Sequence, residues 1–220
     1  MKNRKLIKIR LSSYNKYTRL LITLIFLFFI PVLITSKIGI AIFSFVKLTA
    51  ILTAVKTFLL RPKDLYLCIV LACLALVGDL IYLSAPESYT WLAFIAHLIS
   101  SGFLIVSILF ITRDIVTSKK VNRDTIIGSI SIYLLIGILW FLVYLNIQLF
   151  DVNAFSYLGK AVQKPFDLLY FSFTTLTTVG YGDIVPVNSA AKAFANMEGI
   201  FGVLFPAVFI AKLVGNLPNS

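Results

Sequence analysis

Thr174-Thr175-Leu176-Thr177-Thr178-Val179-Gly180-Tyr181-Gly182-Asp183 is the stretch on which the reading of the chain turns. Its centre, Thr178 to Gly182, reads TVGYG. Successive carbonyls in such a segment can point the same way only if the backbone alternates between ordinary and left-handed dihedrals. Glycine at 180 and 182 admits a positive φ without the Cβ penalty that other residues carry. Val179 and Tyr181 then turn their side chains away from the column of oxygens, and Thr178 adds a hydroxyl at its inner end. Oxygens stacked in this manner can take over the water shell of a bare cation.

The residues ahead of this stretch suit a short helix aimed into a membrane. Pro165 fits a first helical turn, where its missing N–H costs nothing, and Asp167 lies near the positive dipole end. Tyr170, Phe171 and Phe173 give the helix a bulky aromatic coat. It should end near Thr177, with its negative end toward water just inside the Thr178–Gly182 stretch. Asp183 and Pro186 mark the return to the outer surface, and a final apolar helix begins near Ser189.

In this order of outer helix, pore helix, TVGYGD and inner helix, residues 126–215 resemble the potassium-channel family. TVGYG is the filter sequence of potassium channels. The resemblance implies a filter at Thr178, Val179, Gly180, Tyr181 and Gly182, with K+ held at Thr178, Val179, Gly180 and Tyr181 and no other cofactor. Asp183, Thr174 and Glu198 are the expected supports of the filter. One departure is Tyr170-Phe171, which stands where many relatives carry tryptophans and so alters the packing around the filter. A filter needs four strands around an axis and each chain supplies one, so the expected assembly is a homotetramer with closed fourfold symmetry.

Composition agrees with a membrane setting. Hydrophobic residues make up 60% of the chain and mean hydropathy is +0.97, which excludes an ordinary soluble domain. Twenty Lys and Arg stand against nine acids. Such a balance can signal nucleic acid, but these charges lie between apolar runs, so membrane topology explains them and no nucleic-acid partner is expected. Cys68 and Cys73 share one expected helix, face different ways and cannot bridge; ordinary apolar packing accounts for them.

Six apolar runs approach the ~20 residues that span hydrocarbon. They lie near 20–36, 38–60, 65–84, 89–112, 126–149 and 189–214. The expected fold is therefore all-α and integral to the membrane. It divides into a basic segment (1–19), a four-span region (20–112), a cytoplasmic linker (113–125), the pore module (126–215) and a short tail (216–220). The first run is interrupted by Pro31 and the second contains Lys47 and Lys56, so residues 20–60 read as two full spans or as a re-entrant hairpin. No small-residue cleavage site follows the first run, which favours a retained helix over a signal peptide. Seven basic residues and no acid occupy 1–19. They suit a cytoplasmic anchor, or an interfacial helix that binds anionic lipid through Leu6, Ile7, Ile9 and Leu11. Basic residues also gather at 61–64 and 113–124, while segments assigned outside carry few. Both termini are accordingly expected in the cytoplasm, with the filter near the outer face of the plasma membrane.

Charges within the runs need partners, since an unpaired one is costly. Lys47 and Asp79 lie at depths that a lysine stem can bridge and are a candidate ion pair; separate snorkelling is the alternative. His97 suits a pH sensor or, more simply, a hydrogen-bonded helix-packing residue. A voltage sensor needs several arginines at three-residue spacing, each worth about 2.3 kcal/mol per 100 mV. The fourth run has none before Arg113, so steep voltage gating is not expected.

On the last helix, Gly199 and Gly202 suit a hinge or close packing, and Pro206 should kink it. Taking the pore-lining face from the family pattern, Val203, Pro206, Ile210 and Val214 form an apolar ring that can close by dewetting. Glu198 is expected to face the pore helix and accept hydrogen bonds, with Thr174 as a candidate donor. Five residues follow Gly215, so no nucleotide- or calcium-binding gating domain is expected.

Two rivals remain. Gly180-Tyr181-Gly182-Asp183 also satisfies the GxGD pattern of intramembrane aspartyl proteases, with Asp79 as a second carboxylate and Pro206-Ala207-Val208 near their proline-alanine-leucine motif. Yet Pro186 follows Asp183 within three residues, and the threonine run would serve no purpose, so no enzyme is expected. A non-conducting accessory protein that keeps the pore fold is the other.

Overall fold

The computed structural model describes residues 16–33, 42, 44–46, 48–49, 62–84, 90–118 and 122–215. Among the described residues there are six helices, α1 (Lys16–Leu33), α2 (Pro62–Ser84), α3 (Thr90–Thr117), α4 (Arg123–Phe150), α5 (Pro165–Leu176) and α6 (Ser189–Gly215), and three short strands. These are β1 (Phe155–Tyr157), β2 (Lys160–Ala161) and β3 (Ile184–Pro186). Among the described residues, Thr90–Thr117, Arg123–Phe150 and Ser189–Lys212 are long and apolar enough to cross a membrane.

Several boundaries differ from expectation. α1 runs through Pro31 to Leu33, so proline does not interrupt it; apolar helices tolerate proline where neighbours satisfy the freed backbone. α3 extends to Thr117 and α4 starts at Arg123, which shortens the linker expected at 113–125. Lys47, Lys56, the residues at 1–15 and the side chain of Asp79 lie outside the described residues, and with them the Lys47–Asp79 pair and the choice of span or hairpin.

α4 is the hub, in contact with α1, α3, α5 and α6. Its start is set by a capping box, in which the Asn122 side chain accepts from Thr125 N–H at 2.9 Å and the Thr125 hydroxyl accepts from Asn122 N–H at 3.4 Å. Of its apolar stretch 56% is buried within the chain, against 17% for α6. The hub therefore finds its cover at home, whereas α6 leaves most of its apolar surface open. Helix contacts are dressed with polar bonds. Tyr17 of α1 donates to Asp114 Oδ2 of α3 at 2.6 Å. His97 Nδ1 of α3 lies 3.1 Å from Asn146 Oδ1 of α4, so it is a hydrogen-bonded packing residue here.

The strands were not anticipated by the all-α reading. They form one antiparallel sheet in the order β2-β1-β3, pairing Tyr157 with Lys160 on one side and with Ile184 on the other. Leu158 (φ 48°) and Gly159 (φ 83°) make the β1–β2 turn, and two positive φ values match the twist of a tight hairpin. Phe155 anchors the sheet to the core, with ring centroids 5.3 Å from Tyr144 and 5.4 Å from Phe171.

Close approach of α5 to α4 depends on Gly137, where an added Cβ would stand inside the Phe173 ring. Gly137→Ala should lower stability by about 1–3 kcal/mol through overpacking, read as a fall in the thermal midpoint of the detergent-solubilised protein.

Candidate functional site

A helix leaves its last carbonyls without partners, and α5 uses them to start the next segment. Thr177 N–H and Oγ1 both donate to Phe173 O, at 3.0 and 2.6 Å. Thr178 N–H donates to Thr175 O at 2.9 Å, and Val179 and Gly180 N–H share Thr174 O at 2.9 and 3.1 Å. The chain thereby reverses and climbs back beside its own helix. Positive φ then recurs at every second residue: Thr178 at 59°, Gly180 at 52° and Gly182 at 77°. Glycine was expected at two of these positions. Thr178 was not, because a β-branched residue rarely enters the left-handed region; the bonds onto α5 hold it there.

At the outer end Asp183 is pinned three ways. Tyr170 donates to its Oδ2 at 3.0 Å, Ile184 N–H to its Oδ1 at 3.0 Å, and Leu158 N–H to its carbonyl at 3.0 Å. The Tyr170 ring also lies parallel to Tyr181, with an interplanar angle of 4° and centroids 6.3 Å apart. Val179 and Tyr181 are exposed on the isolated chain. At the first turn of α5, burial above all, aided by Asp183 and opposed by Lys164, holds the Asp167 carboxyl above its ordinary value.

Behind the Thr178–Gly182 segment, Glu198 is fully buried. Tyr144 donates to its Oε2, and the Ser172 hydroxyl lies 2.6 Å from Oε1 and 2.8 Å from Gly137 O. Glu198 does face α5, but its partner there is Ser172, not Thr174. The Thr174 hydroxyl instead donates to Phe171 O, at 3.0 Å. Ser172 and Tyr144 escaped the sequence reading; a buried carboxylate next to an apolar helix bearing one serine was the available signal.

At the inner end, Tyr133 of α4 donates to Leu176 O at 3.0 Å. From the other side, Gly202 packs so closely that an added Cβ would collide with the Leu176 carbonyl. Close packing thus explains Gly202, while nothing stands within 4 Å of a Cβ added to Gly199. Pro206 lies inside α6 without ending it, and Val203, Ile210 and Val214 are exposed. Among the described residues no cluster of His, Cys, Asp and Glu could hold a metal.

Residues 147–217 match a family model described as an ion channel. Similar proteins include two pore potassium channel a of Oryza sativa subsp. japonica, 36% identical over 86 residues, or 39% of this chain and 22% of that protein. Voltage-gated potassium channel Kch of Escherichia coli (strain K12) is 29% identical over 135 residues, 59% of this chain and 28% of that one. Potassium channel AKT1 of Arabidopsis thaliana is 49% identical over 51 residues, 23% of this chain and 6% of that one. Residues 147–217 are thus similar to an ion-channel domain, and the relatives that the chain resembles are potassium channels. The chain spans about a fifth of the length of the rice potassium channel. No solved structure matches it significantly.

Glu198→Ala leaves the buried Tyr144 hydroxyl without its acceptor and Ser172 with Gly137 O alone. That should cost about 1–3 kcal/mol, measured by thermal melting, and Glu198→Gln, which retains one acceptor oxygen, should cost less.

Proposed function

We propose that the chain is a potassium-selective channel that conducts K+ passively through a homotetrameric pore. The observation that carries this reading is the positive φ at Thr178, Gly180 and Gly182, set directly on the end of α5. Alternation of hand along a strand lets consecutive carbonyls face one side. K+ would exchange its water shell for the oxygens of Thr178, Val179, Gly180 and Tyr181, entering because binding is favourable and leaving because several such sites lie in line. Four copies are needed to close each ring. The open apolar surface of α6 and the exposed Val179 and Tyr181 supply faces that such an assembly would cover.

The other roles follow from position. Asp183, Thr174 and Glu198 support the filter through the bonds described above. Val203, Pro206, Ile210 and Val214 form the inner gate, with Gly199 as the freer of the two glycines. α3 carries Arg113 alone among arginines, so gating is not steeply voltage-dependent. The channel sits in the plasma membrane with both termini in the cytoplasm, and residues 1–19 meet anionic lipid. Similarity to ion channels supports a non-enzyme, and both carboxylate oxygens of Asp183 are already engaged, which disfavours a protease.

Purified protein in liposomes should pass K+ down an imposed gradient and little Na+, and Gly180→Ser should lose that discrimination. Absence of flux for either ion across a range of pH, tension and lipid composition would favour the accessory reading instead.

A further inference from the structure

α1 lies outside the segment matched to the ion-channel family, yet one of its residues reaches the pore helix. The Phe28 ring meets Phe173 edge to face, with centroids 4.4 Å apart and an interplanar angle of 73°. On its other side Phe173 fills the space that Gly137 leaves open in the α4 backbone. Phe173 is therefore held between α4 and α1. Its carbonyl accepts both bonds from Thr177, and the carbonyl of the next residue, Thr174, accepts from Val179 and Gly180. The seat of this one ring is thus one residue removed from the bonds that start the filter.

The remainder of α1 is built to hold Phe28 in place. Tyr17, Leu20, Leu24 and Leu27 form a buried stripe at helical spacing. Tyr17 ties the far end to Asp114 of α3, roughly 16 Å along the helix from Phe28. Phe26 and Phe29 point elsewhere and are 63% and 58% exposed, so burying phenylalanine is not a general property of this helix.

We propose that Phe28 is a positioning residue for the filter, and that α1 serves as a brace which fixes the pore helix through Phe173. The conduction consequence rests on the channel reading above; the mechanical one does not. Withdrawing Phe28 frees the Phe173 ring on one side, loosens the α5 terminus and weakens the bonds from Val179 and Gly180 to Thr174. A shift of α1 in the membrane would act on the filter by the same route.

The test uses the full chain in lipid nanodiscs and liposomes, as wild type, Phe28→Ala, Phe28→Leu and Phe29→Ala. Hydrogen exchange at the Val179 and Gly180 amides is read together with the ratio of K+ to Na+ flux. Phe28→Ala should speed exchange at these amides at least fivefold and lower the flux ratio by a similar factor. Phe28→Leu should fall between, and Phe29→Ala should stay within twofold of wild type. Exchange in Phe28→Ala no faster than in Phe29→Ala overturns the proposal. Should Phe28→Ala not fold, the same comparison between Phe28→Leu and Phe29→Ala decides it. A wild type that carries no ions overturns the channel reading, and the exchange comparison still decides the brace.

Discussion

The end of a twelve-residue helix governs the rest of the site. Carbonyls of Phe173, Thr174 and Thr175 would be unpaired at the α5 terminus, and burying them unsatisfied is costly. The amides of Thr177 to Gly180 supply the partners, and they can do so only if the chain turns back at once. That reversal forces Thr178 into a left-handed conformation and begins the alternation that runs to Gly182. Helix termination and the alternating backbone are one event.

A segment set up in this way needs its helix held from every side, and the surrounding residues do that. Tyr133 and Gly202 flank the Leu176 carbonyl at the inner end. Glu198 reaches from α6 to Ser172 of α5 and Tyr144 of α4, so one carboxylate joins three helices. Rings of Tyr144, Phe155 and Phe171 extend that contact outward to β1. Buried polar groups are tolerable at these depths because each has a partner, and the contacts specify a single seat for α5 rather than a general apolar fit.

Much of this was legible from local signals. Pro165 and the apolar residues after it marked the short helix, and the long apolar runs marked the major helices, because both depend on neighbours in sequence. The strands were invisible since two or three residues are too few to show an alternating pattern. Thr178 was hidden by its type: nothing in a β-branched residue announces a positive φ that the turn back onto the end of α5 enforces. The partner of Glu198 was undetermined because Thr174 and Ser172 are both hydroxyl residues on one short helix, and only the relative rotation of α5 and α6 separates them. Phe28 against Phe173 joins positions far apart in sequence, where periodicity carries no information.

The sheet beyond Gly182 bears on how freely the connection between α4 and α5 can vary. Surface connections usually accept changes of length, but this one is a strut. Phe155 fixes one end in the core, and the Leu158 amide is bonded to the carbonyl of Asp183. An insertion before Leu158 would shift the β1–β3 register and pull on Asp183 and the residues before it. The Leu158 side chain is 72% exposed and takes no part in that bond. Room for divergence on this face therefore belongs to side chains at the tip of the hairpin and not to its backbone.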